Sequence, residues 1–400
     1  MPYPKNDLKS KNILFIVHNY TNFQKNPIEI ASEFFNKIYV MVRYKPISRI
    51  AKYLPIKWLK KYSDENVIDK RNLPVNVELI LTPVWYLPYG LFNRLLGFLH
   101  YIAVDRIIKK RKIQFDIVHS HFAWSAGFVG MRLKNKYKVP LVITGHRYDI
   151  IDLPLKNLWW KNQIIKILNN ANSVITVSQA NKNFILSLGL EESQISVIVN
   201  GFDEKTFKKI NKNIAREKLG IASDNKIFLS VGMLIHRKGF NYLIESMREL
   251  VKIYPQAHLY IIGEGEMHND LSNMISSFSL QENITLLGFL FHEEINLWMN
   301  ACDLFVLASL HEGLPTVVLE ALACGKPVVS TAIGGVPEIV RNYEDGLLVE
   351  PSNSTELFNA LLIGLNTQWD EVKIEQYGRK FTVRKNVKEL IIIYQSLLFS

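Results

Sequence analysis

Short runs of β-branched and other apolar residues alternate with helix-forming stretches along almost the whole chain. That is the pattern of parallel strands joined by crossover helices. In the first half the runs are Asn12–Val17, Ile38–Val42, Val77–Pro83, Asp116–His121, Leu141–Gly145, Ser173–Val177 and Ile195–Val199. In the second half they are Lys226–Gly232, His258–Gly263, Ile284–Gly288, Leu304–Ala308, Pro327–Thr331 and Gly346–Val349. Together they predict an α/β protein of two doubly wound units in tandem. The junction falls near residues 200–213, where Asn200-Gly201 turns and a polar Lys/Asn-rich stretch follows. Ligands of such sheets bind at the carboxyl ends of the strands, so two facing units predict an interdomain cleft.

Two amphipathic stretches stand out. Over Leu91–Lys112, helical spacing puts Leu95, Leu96, Leu99, Ile102, Ala103 and Ile107 on one face, with Arg94, Tyr101, Asp105 and Lys112 opposite. Either this helix packs on the sheet before Asp116–His121, which needs a helix there, or it lies on a membrane. The tail from Asn386 to Ser400 is a second such helix, carrying Val387, Leu390, Ile391 and Tyr394.

The segment His311–Pro327 carries the most chemistry. Gly313 and Pro315 force a turn, and Pro315 suits the first position of a helix. Thr316–Ala323 are good helix formers or apolar, Gly325 supplies the C-cap, and Pro327 opens the next strand. Glu312 then sits on a loop before the helix and Glu320 inside it. Between them lies a bare helix N-terminus, which favours an anion such as a phosphate. A phosphate cradle flanked by carboxylates, which accept hydrogen bonds from hydroxyl groups, suits a nucleotide-sugar. The bland alternative, two solvated carboxylates, has no such consequence.

Composition sets the frame. At 400 residues the chain exceeds the size of one core, and 48% apolar content supports full-sized cores. Two cysteines, Cys302 and Cys324, fit a reducing compartment without a disulfide framework. Neither a signal peptide nor a run of about 18 apolar residues is visible, so a cytoplasmic protein without a spanning helix is expected. The net charge of +11 is lopsided: residues 1–200 hold 29 Lys/Arg against 13 Asp/Glu, and the remainder 19 against 24. From Arg43 to Tyr62 there are seven basic residues and no acid, interleaved with aromatic and aliphatic ones. Such a segment suits an anionic membrane surface, or it is a solvated basic loop. Nucleic acid fits less well, because the chain has no zinc-finger spacing, RNA-recognition signature or basic recognition helix.

Lys238 follows a strand and precedes Gly239 and a helix. A lysine beside a helix N-terminus is unfavourable without an anion, and there its ammonium offsets the charge that grows on a departing diphosphate. Glu312 and Glu320 also admit a glycoside-hydrolase acid/base pair, which Lys238 and the helix N-terminus disfavour. His119 and His121 share a strand face, but no third metal ligand and no Asp-x-Asp motif accompany them. Gly263-Glu264-Gly265 completes no dinucleotide fingerprint.

Leu307 to Pro351 resembles the C-terminal half of the retaining family 4 glycosyltransferases with the GT-B fold. The likeness rests on Ser309–Pro315, Leu319–Val329, Gly334-Gly335-Val336-Pro337-Glu338-Ile339-Val340 and Asp345–Val349. Val231–Gly239 resembles the family's phosphate-lysine segment, and Val199-Asn200-Gly201-Phe202-Asp203 its interdomain turn. Asp116–His121 and Val142–His146 resemble two strand ends of its N-terminal domain. The resemblance implies two Rossmann-like domains facing across a cleft: residues 1–205 for the acceptor and 206–382 for a nucleotide-sugar donor. A helix over 383–400 crosses back to the first domain.

It further implies that Glu320 takes the ribose hydroxyls and Glu312 a hydroxyl of the transferred sugar. Lys238, with Arg237, serves the phosphates; Gly313, Leu314, Pro315 and Thr316 line the donor; His146 positions the reacting centre. No metal or other cofactor is implied. Two departures stand against the pattern: Met233 replaces the family's phosphate-binding arginine, and the loop Asn19–Pro27 after the first strand has no glycine. The expectation is a metal-independent retaining transferase. Its acceptor is a glycan or lipid-linked glycan of cell-surface polysaccharide synthesis, met at the inner membrane face. A nucleotide-sugar epimerase or hydrolase of the same fold, or a catalytically silent glycan- or nucleotide-binding subunit, remains open.

Overall fold

The computed structural model describes residues 8–46, 68–85 and 91–399. The chain divides into two compact units, Met1–Val199 with Arg384–Ser400, and Asn200–Val383. The basic segment Arg43–Tyr62 lies outside the described residues from position 47 onward.

Among the described residues, the first unit holds seven strands: β1 (Asn12–Val17), β2 (Lys37–Tyr44), β3 (Val77–Pro83), β4 (Ile117–His121), β5 (Leu141–Gly145), β6 (Ser173–Thr176) and β7 (Ile195–Val197). Their order is β3-β2-β1-β4-β5-β6-β7, parallel throughout. Ile13 to Val17 and every residue of β4 and β5 are buried. A parallel sheet is covered on both faces, which is why these strands read as unbroken apolar runs rather than alternations. Asp116 stands just before β4 instead of inside it. Its carboxylate accepts the Asn12 amide at 2.8 Å and pairs with Lys11 at 3.2 Å, tying the starts of β1 and β4 together.

The second unit repeats the plan with β8 (Lys226–Val231), β9 (Ala257–Ile262), β10 (Ile284–Gly288), β11 (Leu304–Leu307), β12 (Val328–Thr331) and β13 (Gly346–Val349), ordered β10-β9-β8-β11-β12-β13. The helix Phe240–Ile253 buries Phe240, Leu243, Ile244, Met247 and Leu250, a three-four spacing that lays one stripe on the core. Each such side chain contributes about 1.5–3 kcal/mol on burial.

The helix Leu91–Arg111 packs on the first unit, but through a different stripe from the one the apolar pattern predicts. Leu96, His100, Val104 and Ile108 are buried, whereas Leu95 and Ile102 are exposed together with Phe98. The pattern misleads because His100, a polar residue, belongs to the buried stripe, where its Nδ1 lies 2.9 Å from Ser125 Oγ. Gly97 completes the contact, since a Cβ there would fall 2.8 Å from the Trp124 ring. Among the described residues, no helix is long and apolar enough to cross a membrane.

The last helix, Val383–Phe399, docks on the first unit by burying Val387, Leu390, Ile391 and Tyr394. The Tyr394 hydroxyl meets His119 Nδ1 at 2.5 Å, its ring lies edge-on to Phe35, and Asn386 Nδ2 donates to the Val199 carbonyl at 2.8 Å. Cys302 and Cys324 are buried and free; burial pushes the Cys302 thiol up to about 12 and raises that of Cys324 as well.

Candidate functional site

In the second unit the chain leaves β11 into the loop Ala308–Pro315, which neighbouring segments clasp by its backbone. Leu310 N–H donates to the Arg237 carbonyl at 2.8 Å, and Gly335 N–H to that of Gly313 at 2.7 Å. Thr331 Oγ1 donates to the Ser309 carbonyl at 2.6 Å, and Asn200 Nδ2 reaches that of Leu314 at 3.4 Å. The approach of Gly334 requires a glycine: φ is +51°, and a Cβ would fall 2.2 Å from the Glu312 carbonyl oxygen.

The loop delivers the helix Thr316–Ala323, with Pro315 one place earlier than expected, at the N-cap. No side chain caps this end, so its first amides keep the capacity to bind an anion. The other end closes as the sequence suggests. Gly325 N–H donates to Leu322 and Lys326 N–H to Ala321, the paired bonds of a Schellman stop, with Gly325 at φ +74°.

Both carboxylates of the segment are buried. Glu312 Oε1 takes Lys238 Nζ at 2.6 Å and Ser309 Oγ at 2.8 Å. The Glu320 carboxyl accepts no hydrogen bond and forms no ion pair among the described residues, and the residue is 6% exposed. Burial first, and the Asp203 carboxylate second, push its carboxyl up to about 8. A buried carboxyl without donors keeps its full capacity to accept hydrogen bonds.

Lys238 closes the short turn His236–Lys238 after β8, and Gly239 follows at φ +63°. Arg237, half-buried on the same turn, has no ion-pair partner among the described residues, and Met233 is 56% exposed. Lys238 and Glu312 therefore meet each other, which the separate roles given them by resemblance do not anticipate. Ser309 completes the trio and was not legible as a site residue, because nothing in the sequence marks which loop hydroxyl faces the carboxylate.

The first unit gathers histidines at the carboxyl ends of its strands. His146 follows β5; its amide donates to Asp149 Oδ1 at 2.8 Å, and its ring packs against Phe122 and His121, with centroids 4.6 and 6.2 Å away. Burial, and after it the field of His121, lowers His146 to about 3; burial alone lowers His121 to about 4. His119, low for the same main reason, is held by Tyr394 and by Thr144 Oγ1, the latter at 2.8 Å. Both its nitrogens are thus engaged, and among the described residues no three His, Cys, Asp or Glu are placed to hold a metal ion. Asp149, missed by sequence reasoning, is buried and accepts the amides of Ala123 and His146; burial raises its carboxyl to about 7.

A cavity of about 570 Å³ opens in the same unit. Arg43, Arg94, Lys156, Phe122, Trp124 and Trp160 are among its walls. Sequence reasoning missed it, although a signal existed: His18, Phe122 and Tyr148 stand just beyond the ends of β1, β4 and β5, and Arg43 is the next-to-last residue of β2.

Residues 211–381 match the family described as glycosyl transferases group 1, and residues 66–206 match glycosyltransferase family 4. An uncharacterized glycosyltransferase of Methanocaldococcus jannaschii is 31% identical over 287 residues, 70% of this chain and 76% of that one. An Escherichia coli UDP-Gal:alpha-D-GlcNAc-diphosphoundecaprenol alpha-1,3-galactosyltransferase is 32% identical over 65% of this chain and 68% of its own. The crystal structure of Anabaena HepE in complex with UDP superposes with a TM-score of 0.74 at 22% identity, covering 96% of this chain and all of that one.

Proposed function

The chain belongs to the group 1, family 4 glycosyl transferases, with the GT-B fold, and from that premise we propose that it moves a sugar from a nucleoside-diphosphate-sugar to a glycan or lipid-linked acceptor with retention of configuration. The observation that carries the donor side is the uncapped start of the helix Thr316–Ala323, preceded by buried Glu312 and followed by buried, unpartnered Glu320.

On this reading the amides of Leu314 and Thr316 meet the donor's sugar and phosphates, Gly313 letting the loop close and Pro315 fixing the entry to the helix. Glu320 loses its proton and accepts both ribose hydroxyls. Lys238, with Arg237 beside it on the turn, turns its ammonium to the diphosphate as charge grows there, so the step is metal-independent. Glu312, held by Ser309, takes a hydroxyl of the transferred sugar. His146, uncharged at neutral pH, positions the sugar as an acceptor or donor of a hydrogen bond. The acceptor hydroxyl attacks from the face the phosphate leaves, and the departing phosphate takes its proton.

The acceptor falls to the basic first unit. Galactosyl transfer by the Escherichia coli relative to a diphosphoundecaprenol-linked sugar supports a lipid-linked acceptor, and with it peripheral attachment to the inner membrane face. The exposed stripe Leu95, Phe98 and Ile102 beside Arg106, Lys109 and Lys110 supports the same attachment.

Thermal-shift measurement against nucleoside diphosphates and their sugars tests the donor assignment; a ligand at a hundredfold excess over its Kd stabilises by roughly 3 kcal/mol. Incubation of donor with a lipid-linked glycan, followed by NMR of the new anomeric linkage, tests transfer and retention. Fast conversion of the donor with no acceptor present would point to the epimerase or hydrolase instead.

A further inference from the structure

Asp149 is wholly buried, and among the described residues it meets no cation. Its carboxylate is divided between two backbone amides. Oδ1 accepts the His146 N–H at 2.8 Å, and Oδ2 accepts that of Ala123. The His146 carbonyl in turn accepts the Asp149 N–H at 3.1 Å, so side chain and backbone close a reciprocal turn on the residue that follows β5.

Ala123 comes directly after Phe122, the residue that follows β4. Phe122 stands at φ +75° and ψ 136°, a backbone region that a bulky side chain rarely enters. Such a residue persists only where its surroundings hold it, and residues of this kind gather at functional sites. Three hydrogen bonds hold this one. Phe122 N–H donates to the Thr144 carbonyl at 2.9 Å, Gly127 N–H to the Phe122 carbonyl at 2.8 Å, and Ala123 N–H to Asp149. They fix the Phe122 ring, which lies 4.6 Å from the His146 ring and is stacked on His18 at 4.7 Å. One carboxylate therefore ties down both partners of the Phe122–His146 contact.

A simple turn would not need a charged group there. Burial raises the Asp149 carboxyl to about 7, the mark of a carboxylate placed in a dry site without a counter-ion. Asparagine or serine closes such a turn without that penalty. An amide, however, has one acceptor oxygen, and so has a hydroxyl. Only a carboxylate turns two oxygens to two N–H groups at once. The residue type thus answers to holding both loops together, the one after β4 and the one after β5.

On the reading above that His146 meets the transferred sugar, we propose that Asp149 is a positioning residue for the transfer, holding the His146 backbone and the Phe122 ring in one geometry. It touches neither substrate and acts through the histidine alone. With one oxygen lost, one loop relaxes while the other stays tied, and the imidazole leaves its place at the sugar. A displacement of about 1 Å in such a group costs on the order of a hundredfold in rate.

The test uses the full chain, with UDP-galactose and diphosphoundecaprenol-linked N-acetylglucosamine, the substrates named for the Escherichia coli relative. Histidine-ring NMR, which needs no substrate, is read beside it. Asp149→Asn keeps the size and one acceptor oxygen; Asp149→Ser repeats the measurement where the amide does not fit. Near-UV circular dichroism of the Trp124–Trp160 pair, whose ring centroids lie 5.1 Å apart, verifies the fold of the first unit, and the UDP-induced thermal shift that of the second. Asp149→Asn is expected to lower kcat about tenfold or more at unchanged donor KM. In a His146→Ala background it is expected to remove nothing further, because its effect passes through the histidine. The His146 ring signal, identified by its loss in His146→Ala, is expected to move in Asp149→Asn as the Phe122 ring shifts beside it, while that of His258 in the second unit stays. An unmoved His146 signal overturns the proposal whether or not turnover is seen. So does an undiminished kcat, or an equal loss in both backgrounds. Full turnover by His146→Ala strikes instead the histidine's own role, and the positioning role falls with it.

Discussion

Lys238 Nζ and Glu312 Oε1 lie 2.6 Å apart with side chains only 12% and 9% exposed, and Ser309 Oγ shares the same carboxylate oxygen. A pair so placed holds two catalytic candidates in one geometry. Removing one partner leaves the other buried without its counter-charge. Lys238→Met is therefore expected to destabilise the second unit by about 3 kcal/mol, and the double variant Lys238→Met/Glu312→Leu to recover most of it. Sugar transfer is expected to remain lost in both. Urea denaturation together with a transfer assay separates the effects; a double variant that regains turnover would remove the pair from the chemistry.

If Glu320 binds the donor as proposed, it gives that site a pH dependence with a definite sign. Its carboxyl, raised to about 8, holds a proton at neutral pH, and two ribose hydroxyls donating to it favour the ionised form. UDP affinity is expected to rise with pH and to level off above about 8, with proton uptake by buffer seen in calorimetry. Stability moves the other way. The unfolded chain ionises this group near its ordinary value of 4.5, so stability attributable to it is full below that pH and declines as pH rises to about 8. Glu320→Gln abolishes both slopes.

The buried histidines of the first unit act in the opposite sense. His18, His100, His119, His121 and His146 are all lowered, chiefly by burial, the last two to about 4 and about 3. The unfolded chain takes up these protons near 6.5 while the folded one refuses them, so stability is full above that pH and falls as acid is added. Urea midpoints are expected to drop steeply below pH 6.5. His121→Gln, which keeps polar capacity without a titrating group, should make the fall shallower.

Two glycines of nearly equal backbone conformation are expected to respond differently to alanine. Gly220, at φ +66°, has nothing within 4 Å of an added Cβ, whereas at Gly239, φ +63°, that carbon would fall 2.0 Å from the Ala308 carbonyl oxygen. Gly220→Ala should cost about 1 kcal/mol, the left-handed penalty alone. Gly239→Ala must also shift the turn that carries Lys238, and a tenfold or larger loss of UDP affinity is expected beside the larger drop in Tm. Equal responses would show that the turn yields without moving the lysine.

What could be read from the chain was whatever rests on local rules. Unbroken apolar runs marked strands buried on both faces, and the Pro315–Gly325 punctuation gave the helix Thr316–Ala323 with its stop, because turn residues act through their own backbone. The family likeness of 307–351 pointed to Glu312 and Glu320, and that of 231–239 to Lys238. Packing decided the rest. His100 joined the buried stripe of its helix because Ser125, 25 residues away, offered it a partner, and Leu95, Phe98 and Ile102 were left outside as a result. Lys238 found Glu312 across 74 residues, and Arg43, Arg94 and Lys156 came to one cavity from three separate elements. Such encounters follow from how the sheet is wound, and a one-dimensional pattern records only which residues are near in sequence.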